Sequence, residues 1–139
     1  MKQLDLPFKI DEQYENWEFE LDALDDRFSG YHSYKYIGEQ LNYFLNFSTD
    51  ETELIFNGDY LTAVIIIIED LGIYQLTALN QFLGHNSSKE IVVREDVKKF
   101  KIHQVMYCTV NRRTESRVLI IYGKSRFMQR LLNLLLNSS

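Results

Sequence analysis

The nine residues TAVIIIIED, positions 62–70, constrain the fold more than any other part of the chain. Six apolar residues run from Ala63 to Ile68, four of them isoleucine, and Glu69 and Asp70 follow at once. A bilayer span takes about 20 apolar residues, so no membrane segment is expected here. β-Branched side chains are stiff and favour strands over helices. A strand with one wet face alternates apolar and polar residues. This run does not alternate, so both its faces must be covered. It is therefore expected as a central strand over residues 60–68, with helices on one side. A helix, a second sheet or a partner subunit would cover the other.

The flanking segments supply the rest of a sheet. ELIF-NG-DYLTAVIIII places Asn57-Gly58 between two β-prone runs, a good signal for a hairpin with a type I′ turn. Residues 73–83, IYQLTALNQFL, read as a short helix ended by Gly84, with a loop through HNSS. Three strand-like runs follow: EIVV at 90–93, KIHQVMYCTV at 101–110 and RVLIIYG at 117–123, the last two flanking the loop NRRTES. A final helix over 124–136, capped by Ser125, turns Phe127, Leu131, Leu134 and Leu135 inward. Met128, Leu132 and Leu136 widen that face, so this helix is expected to be deeply buried or shared with a partner. It is the natural cover for the isoleucine strand.

Two N-terminal segments fit more than one template. In residues 10–28, Ile10, Tyr14, Trp17, Leu21, Leu24 and Phe28 follow helical spacing, with Asp11 as cap and Gly30 as stop. Trp17, Phe19, Leu21 and Ala23 also alternate with Glu18, Glu20 and Asp22, as a half-buried strand would. The helix accounts for more positions and both ends, so residues 11–28 are expected to be helical. Residues 31–47 read equally as a pair of aromatic strands or as a helix along Ile37, Leu41, Phe44 and Leu45, which Gly38 would weaken by about 1 kcal/mol. The fold class expected is α+β: one domain over residues 1–139, with a mostly antiparallel sheet packed by helices. No internal repeat, low-complexity tract or linker breaks it up.

The charge pattern is the strongest compositional signal. Residues 1–70 carry 16 acidic and 4 basic side chains, a net of −12, whereas residues 71–139 carry 4 and 11, a net of +7. Three readings compete: mutual neutralisation within one fold, a polyanion bound by the basic half, or a basic partner covered by the acidic half. Neutralisation is the simplest. The candidate basic surface comprises Lys98, Lys99 and Lys101 before and within a strand, Arg112, Arg113 and Arg117 about a hairpin tip, and Lys124, Arg126 and Arg130 in the last helix. Tyr107 and Tyr122 are available beside it for stacking.

Catalytic and metal chemistry find little support. Glu69 and Asp70 end a buried strand, where shifted carboxylates and divalent metals often sit, and a metal-dependent hydrolase there ranks a distant third. Their simpler role is to stop an apolar strand. DALDD lacks a ligand at the third position of a calcium loop and glycine at the sixth. His32, His85 and His103 have no metal-ligand spacing, and GKS at 123–125 lacks the earlier glycine of a phosphate loop. The one cysteine, Cys108, permits no intramolecular disulfide and no thiolate cage, and it shares a strand with His103 but points to the other face. No catalytic residue, metal or cofactor is expected. MKQLDLPFKIDEQ has no apolar core of signal-peptide length, so the sequons at Asn46, Asn86 and Asn137 are expected to be chance matches in a cytoplasmic protein.

The function expected is that of a small, acidic, non-catalytic binding module, regulatory or inhibitory, that contacts another protein, with a homodimer as one possible form. Apolar contact would come from the last helix or an edge strand, and charge would steer association. A nucleic-acid-associated protein using residues 89–130 is the alternative; its weakness is an acidic overall balance and the absence of a recognised motif.

Overall fold

A computed structural model describes residues 6–41, 43–44 and 47–137. In chain order the strands are β1 (Leu21–Ala23), β2 (Tyr31–Tyr36), β3 (Tyr43–Phe44), β4 (Phe47–Ser48), β5 (Glu51–Asn57) and β6 (Tyr60–Glu69). Helix α1 (Ile73–Asn86) is followed by β7 (Lys89–Arg94), β8 (Val97–Ile102), β9 (Val105–Arg112), β10 (Arg117–Gly123) and helix α2 (Ser125–Asn137). Among the described residues, eight strands form one antiparallel sheet in the order β1-β2-β5-β6-β10-β9-β8-β7, and β3 and β4 form a small hairpin apart from it. The chain is thus a single α+β domain.

The isoleucine strand β6 lies mid-sheet, between β5 and β10. Its side chains alternate between two cores. Val64, Ile66 and Ile68 pack under the N-terminal segment (Leu6, Phe8, Trp17), Leu41, Phe44 and the buried face of α1 (Leu76, Leu79, Leu83). Ala63 and Ile65 face α2, whose Phe127, Met128, Leu131, Leu132 and Leu135 are all buried. An all-apolar strand needs a layer on each side, and α1 with the N-terminal segment supplies one while α2 supplies the other.

Residues 11–28 are not a helix. They form two 3₁₀ turns, Tyr14–Asn16 and Glu18–Glu20, and then strand β1. The backbone finds its partners in the sheet: Asp11 N–H donates to Leu61 O and Tyr14 N–H to Asp59 O, while Leu61 N–H donates to Glu12 O. Asp11 has φ of 74°, which no helix tolerates. A helix would also stack like charges at i, i+3 and i, i+4, among them Asp11 with Glu15, Glu15 with Glu18 and Glu18 with Asp22. The apolar stripe, Leu24 excepted, is nevertheless inward: Trp17 meets Phe8 at 4.8 Å between ring centroids, and Tyr14 meets Phe56 at 5.5 Å. In residues 31–47 the strand template holds for β2 and β3. Leu45, the sequon residue Asn46 and the last two residues of the Asn137 sequon lie outside the described residues.

Two hairpins differ in detail from the expectation. Asn57 pairs with Tyr60, so Gly58 and Asp59 form the turn, one residue later than Asn57-Gly58. Gly58 takes φ of 60°, the positive angle a two-residue turn asks of its first position. The expected strand over 101–110 is in fact the end of β8, a turn at His103-Gln104, and β9; the two turn residues take φ of 50° and 48°. Positive φ at both positions is the type I′ geometry, built here without glycine or asparagine. His103 and Cys108 therefore do not share a strand. Cys108 is fully buried beneath α2, and Tyr107, next to it, points to the other face and stacks on Tyr122 at 5.1 Å.

These buried groups make the fold sensitive to alkali. Burial pushes the Tyr107 phenol up to about 12, and also the Cys108 thiol to about 12, against a partial opposing effect of Lys99. Tyr122 is driven well above its ordinary value, chiefly by burial. The unfolded chain ionises these groups first, so it binds fewer protons and stability falls as pH rises. The stabilisation is whole below about pH 8 and is lost towards pH 12, at up to about 1.4 kcal/mol per pH unit for each group. Urea midpoints should fall between about pH 8 and pH 11, and Tyr107→Phe or Cys108→Ala should shallow that fall if they fold. A midpoint constant over this range would contradict the assignment.

Candidate functional site

The sheet keeps the two halves of the sequence apart. Its first four strands, β1-β2-β5-β6, come from residues before position 70, and its last four, β10-β9-β8-β7, from residues after it. The acidic and basic halves therefore sit side by side about the β6–β10 seam. Among the described residues only two ion pairs cross between the halves: Arg117 with Glu69 at 2.8 Å, and Lys124 with Asp11. The charge difference is carried out to the two edges of the sheet.

The nine candidate basic residues do not form one surface. Arg112 is largely covered; its guanidinium donates to the Leu135 carbonyl at 2.6 Å and to Glu115 at 3.3 Å, which ties down the last turn of α2. Arg113 pairs with Glu95 at 3.2 Å and Arg117 with Glu69, while Arg130 lies over the rings of Phe28 and Tyr31 at 4.8 and 5.6 Å. Arg126 is exposed on α2. Lys98 lines a cleft of about 540 Å³ between α1 and the sheet, beside Asn80, Asn111 and Arg113. In its floor the buried Thr109 hydroxyl donates to Asn80 Oδ1 at 2.7 Å. Lys99 and Lys101 point to the other face, that of α2, because side chains alternate along β8.

Tyr107 and Tyr122 offer no stacking platform. Both are buried, and the Tyr122 hydroxyl donates to the Phe8 carbonyl at 2.7 Å. Glu69 and Asp70 end the central strand. The Glu69 amide donates to Asp50 Oδ2, its carboxylate holds Arg117, and Asp70 turns the chain with φ of 57°. Among the described residues no group of three or more His, Cys, Asp or Glu side chains is arranged to hold a metal. Among the described residues no helix is long and apolar enough to cross a membrane.

Among the basic side chains, a group without ion-pair partners shares one face at the basic edge. Strand β7 is the last in the sheet and is exposed at all six positions. It carries Ile91, Val92 and Val93, with Val92 63% exposed. Lys89 on β7 stands directly opposite Lys101 on β8, and Ile91 opposite Lys99. Lys89, Lys99 and Lys101 share one face, and none has an ion-pair partner among the described residues. Opposed like charges are unfavourable in a sheet by themselves. Sequence reasoning placed a strand at 90–93 but missed Lys89, Ile91, Val92 and Val93 as a surface, because edge position depends on strand order. The opposite edge, β1, is three residues long.

Helix α2 is occupied by its own sheet and has no free apolar face of comparable size. Instead α1, which carries no Asp, Glu, Lys or Arg, exposes Ile73, Tyr74 and Phe82. No protein-family model, curated protein or solved structure matches the chain.

Proposed function

We propose that this protein is a non-catalytic protein-binding module, acting in the cytoplasm as a regulator or inhibitor, that docks an extended segment of its partner along β7. One observation carries the reading: a six-residue edge strand, exposed throughout, presents three consecutive β-branched residues. An unpaired edge offers its backbone N–H and C=O groups to a further strand, and natural sheets normally blunt such edges. Here a bulge between Val92 and Arg94 limits the edge without covering it. Lys89, Lys99 and Lys101 favour a partner segment with carboxylates on that face, since opposite charge across a strand pair adds stability and speeds encounter.

The same three lysines favour a second reading, contact with a nucleic-acid backbone. Three phosphate contacts would give a salt dependence of slope about −2.7. The exposed valines and isoleucine gain nothing from such a ligand, which is why the protein reading ranks first.

The test is affinity capture with the wild-type chain beside a Val92→Asp variant. The substitution changes an exposed side chain and should alter stability by about 0.5 kcal/mol or less. Partner recovery should fall at least about tenfold, the equivalent of about 1.4 kcal/mol. Equal recovery by both chains, or recovery of nucleic acid in place of protein, would overturn the proposal.

A further inference from the structure

The two edges of the sheet are complementary to each other. One edge, β7 backed by β8, carries Lys89, Lys99 and Lys101 without ion-pair partners among the described residues. The other, β1 with the turns before and after it, carries Glu18, Asp22 and Asp25, all exposed. Each edge also exposes apolar area: Val92 is 63% exposed at the basic edge and Phe19 92% exposed at the acidic edge.

Strand direction fits as well. Every neighbouring pair in the sheet is antiparallel and the sheet has eight strands, so β1 and β7 run in opposite directions. A second copy placed beside the first in the same orientation therefore sets its β1 antiparallel to the first copy's β7. The two faces of the sheet are kept in this arrangement. Asp22 lies opposite Lys35, which lies opposite Glu53, on the α2 face of the sheet; Lys89, Lys99 and Lys101 lie on that same face. The carboxylate and the lysines therefore meet across the junction.

We infer that the chain associates head to tail, the acidic β1 edge of one copy pairing antiparallel with the basic β7 edge of the next. The inference rests on β7 being the docking edge and names a second copy as an occupant of it. The contact is heterologous, so copies add end to end instead of closing as a two-fold dimer. Because β1 is short and β7 bulged, backbone pairing is limited and charge supplies much of the attraction. Association must then weaken with salt, as the screening length falls from about 10 Å at 0.1 M to about 3 Å at 1 M.

The experiment is light scattering on the full chain at low salt, about 0.05 M, and near 1 M. The wild type should grow in mass with concentration at low salt and return to single chains at high salt. A Lys89→Glu/Lys101→Glu chain, lacking the basic edge, should stay a single chain, and so should an Asp22→Lys/Asp25→Lys chain, lacking the acidic edge. Phe19→Ser is a second acidic-edge variant, chosen because that side chain is exposed, and near-UV circular dichroism checks that each variant is folded. Mixing folded Lys89→Glu/Lys101→Glu with folded Asp22→Lys/Asp25→Lys in equal amounts should restore growth in mass, since the intact edges of the two chains complement each other and the two reversed edges do so as well. A wild type that stays a single chain at low salt, a variant that still assembles alone, or a mixture that stays unpaired would overturn the inference. If the wild type does not self-associate but Val92→Asp still abolishes partner capture, self-pairing fails and β7 stands as the docking edge. If self-association follows the predicted pattern while Val92→Asp leaves partner capture unchanged, the foreign-partner reading fails instead.

Discussion

Truncating Ile66 to alanine should cost the fold about 2–5 kcal/mol, and truncating its neighbour Ile65 should cost a comparable amount. The two side chains point to opposite faces of β6, yet both are essentially inaccessible, at 0% and 2% exposure. Ile66 lies in the core beneath α1 and the N-terminal segment, and Ile65 in the core beneath α2. Each truncation loses transfer free energy and leaves a cavity that close-packed neighbours fill only in part. Ile67 belongs to the same tetrapeptide but is only partly buried at the margin of the α2 core. Ile67→Ala should therefore cost less than about half as much, since the loss scales with the apolar area removed from contact. Urea unfolding of the three variants measures this directly. An Ile67→Ala loss equal to that of Ile66→Ala would show that the second face is sealed over its whole length.

Gly123→Ala should destabilise by about 3 kcal/mol, and Gly123→Val should prevent folding at ambient temperature. Gly123 closes β10 opposite Ala63 on β6 and Met106 on β9. A methyl group at this position would come within 2.6 Å of the Thr62 carbonyl oxygen, 2.9 Å of Ala63 Cβ and 3.0 Å of Ala63 Cα. All three atoms are backbone or Cβ of the central strand and have no rotamer by which to move away. The Thr62 carbonyl also accepts the Lys124 N–H at 3.1 Å, at the entry to α2, so displacing it disturbs the helix start too. Gly30, which has open space about it, is not a comparable position, although its φ of 85° carries a separate strain for any side chain. Circular dichroism melts of Gly123→Ala should show a large fall in Tm. A fall of only a degree or two would mean that β6 and β10 separate at this end without cost.

The parts of the fold legible in the sequence are those decided by local chemistry. Four successive isoleucines before two carboxylates identify a strand covered on both faces, because no partly wet strand carries such a run. The wide apolar face of α2 likewise identifies a buried helix, and Arg117–Gly123 stands out as a strand by its own β-branched residues. The turn at His103-Gln104 was hidden because it lacks the glycine, asparagine or aspartate that marks a two-residue type I′ turn. The cross-strand pairing of β8 with β9 holds it there, from Val97 opposite Val110 to Ile102 opposite Val105. The N-terminal segment misled in the opposite direction: its helical spacing is real, but residues 59–61, which β10 does not reach, offered its backbone better partners than a helix crowded with carboxylates.

The candidate surface follows the same division. That the basic residues concentrate after position 70 is plain in the sequence. Their fates are not, since Arg112 ties down a helix end, Arg130 covers two aromatic rings, and only Lys89, Lys99 and Lys101 share an uncompensated face. By itself the sequence determined a central apolar strand, two covering helices and two halves of opposite charge, because periodicity, β-branching and charge are properties of residues taken in order. Only the tertiary structure decided that the halves lie side by side across one seam and that β7 is an edge. Strand order is set by long-range backbone pairing and by which faces bury together, and no local stretch of residues encodes it.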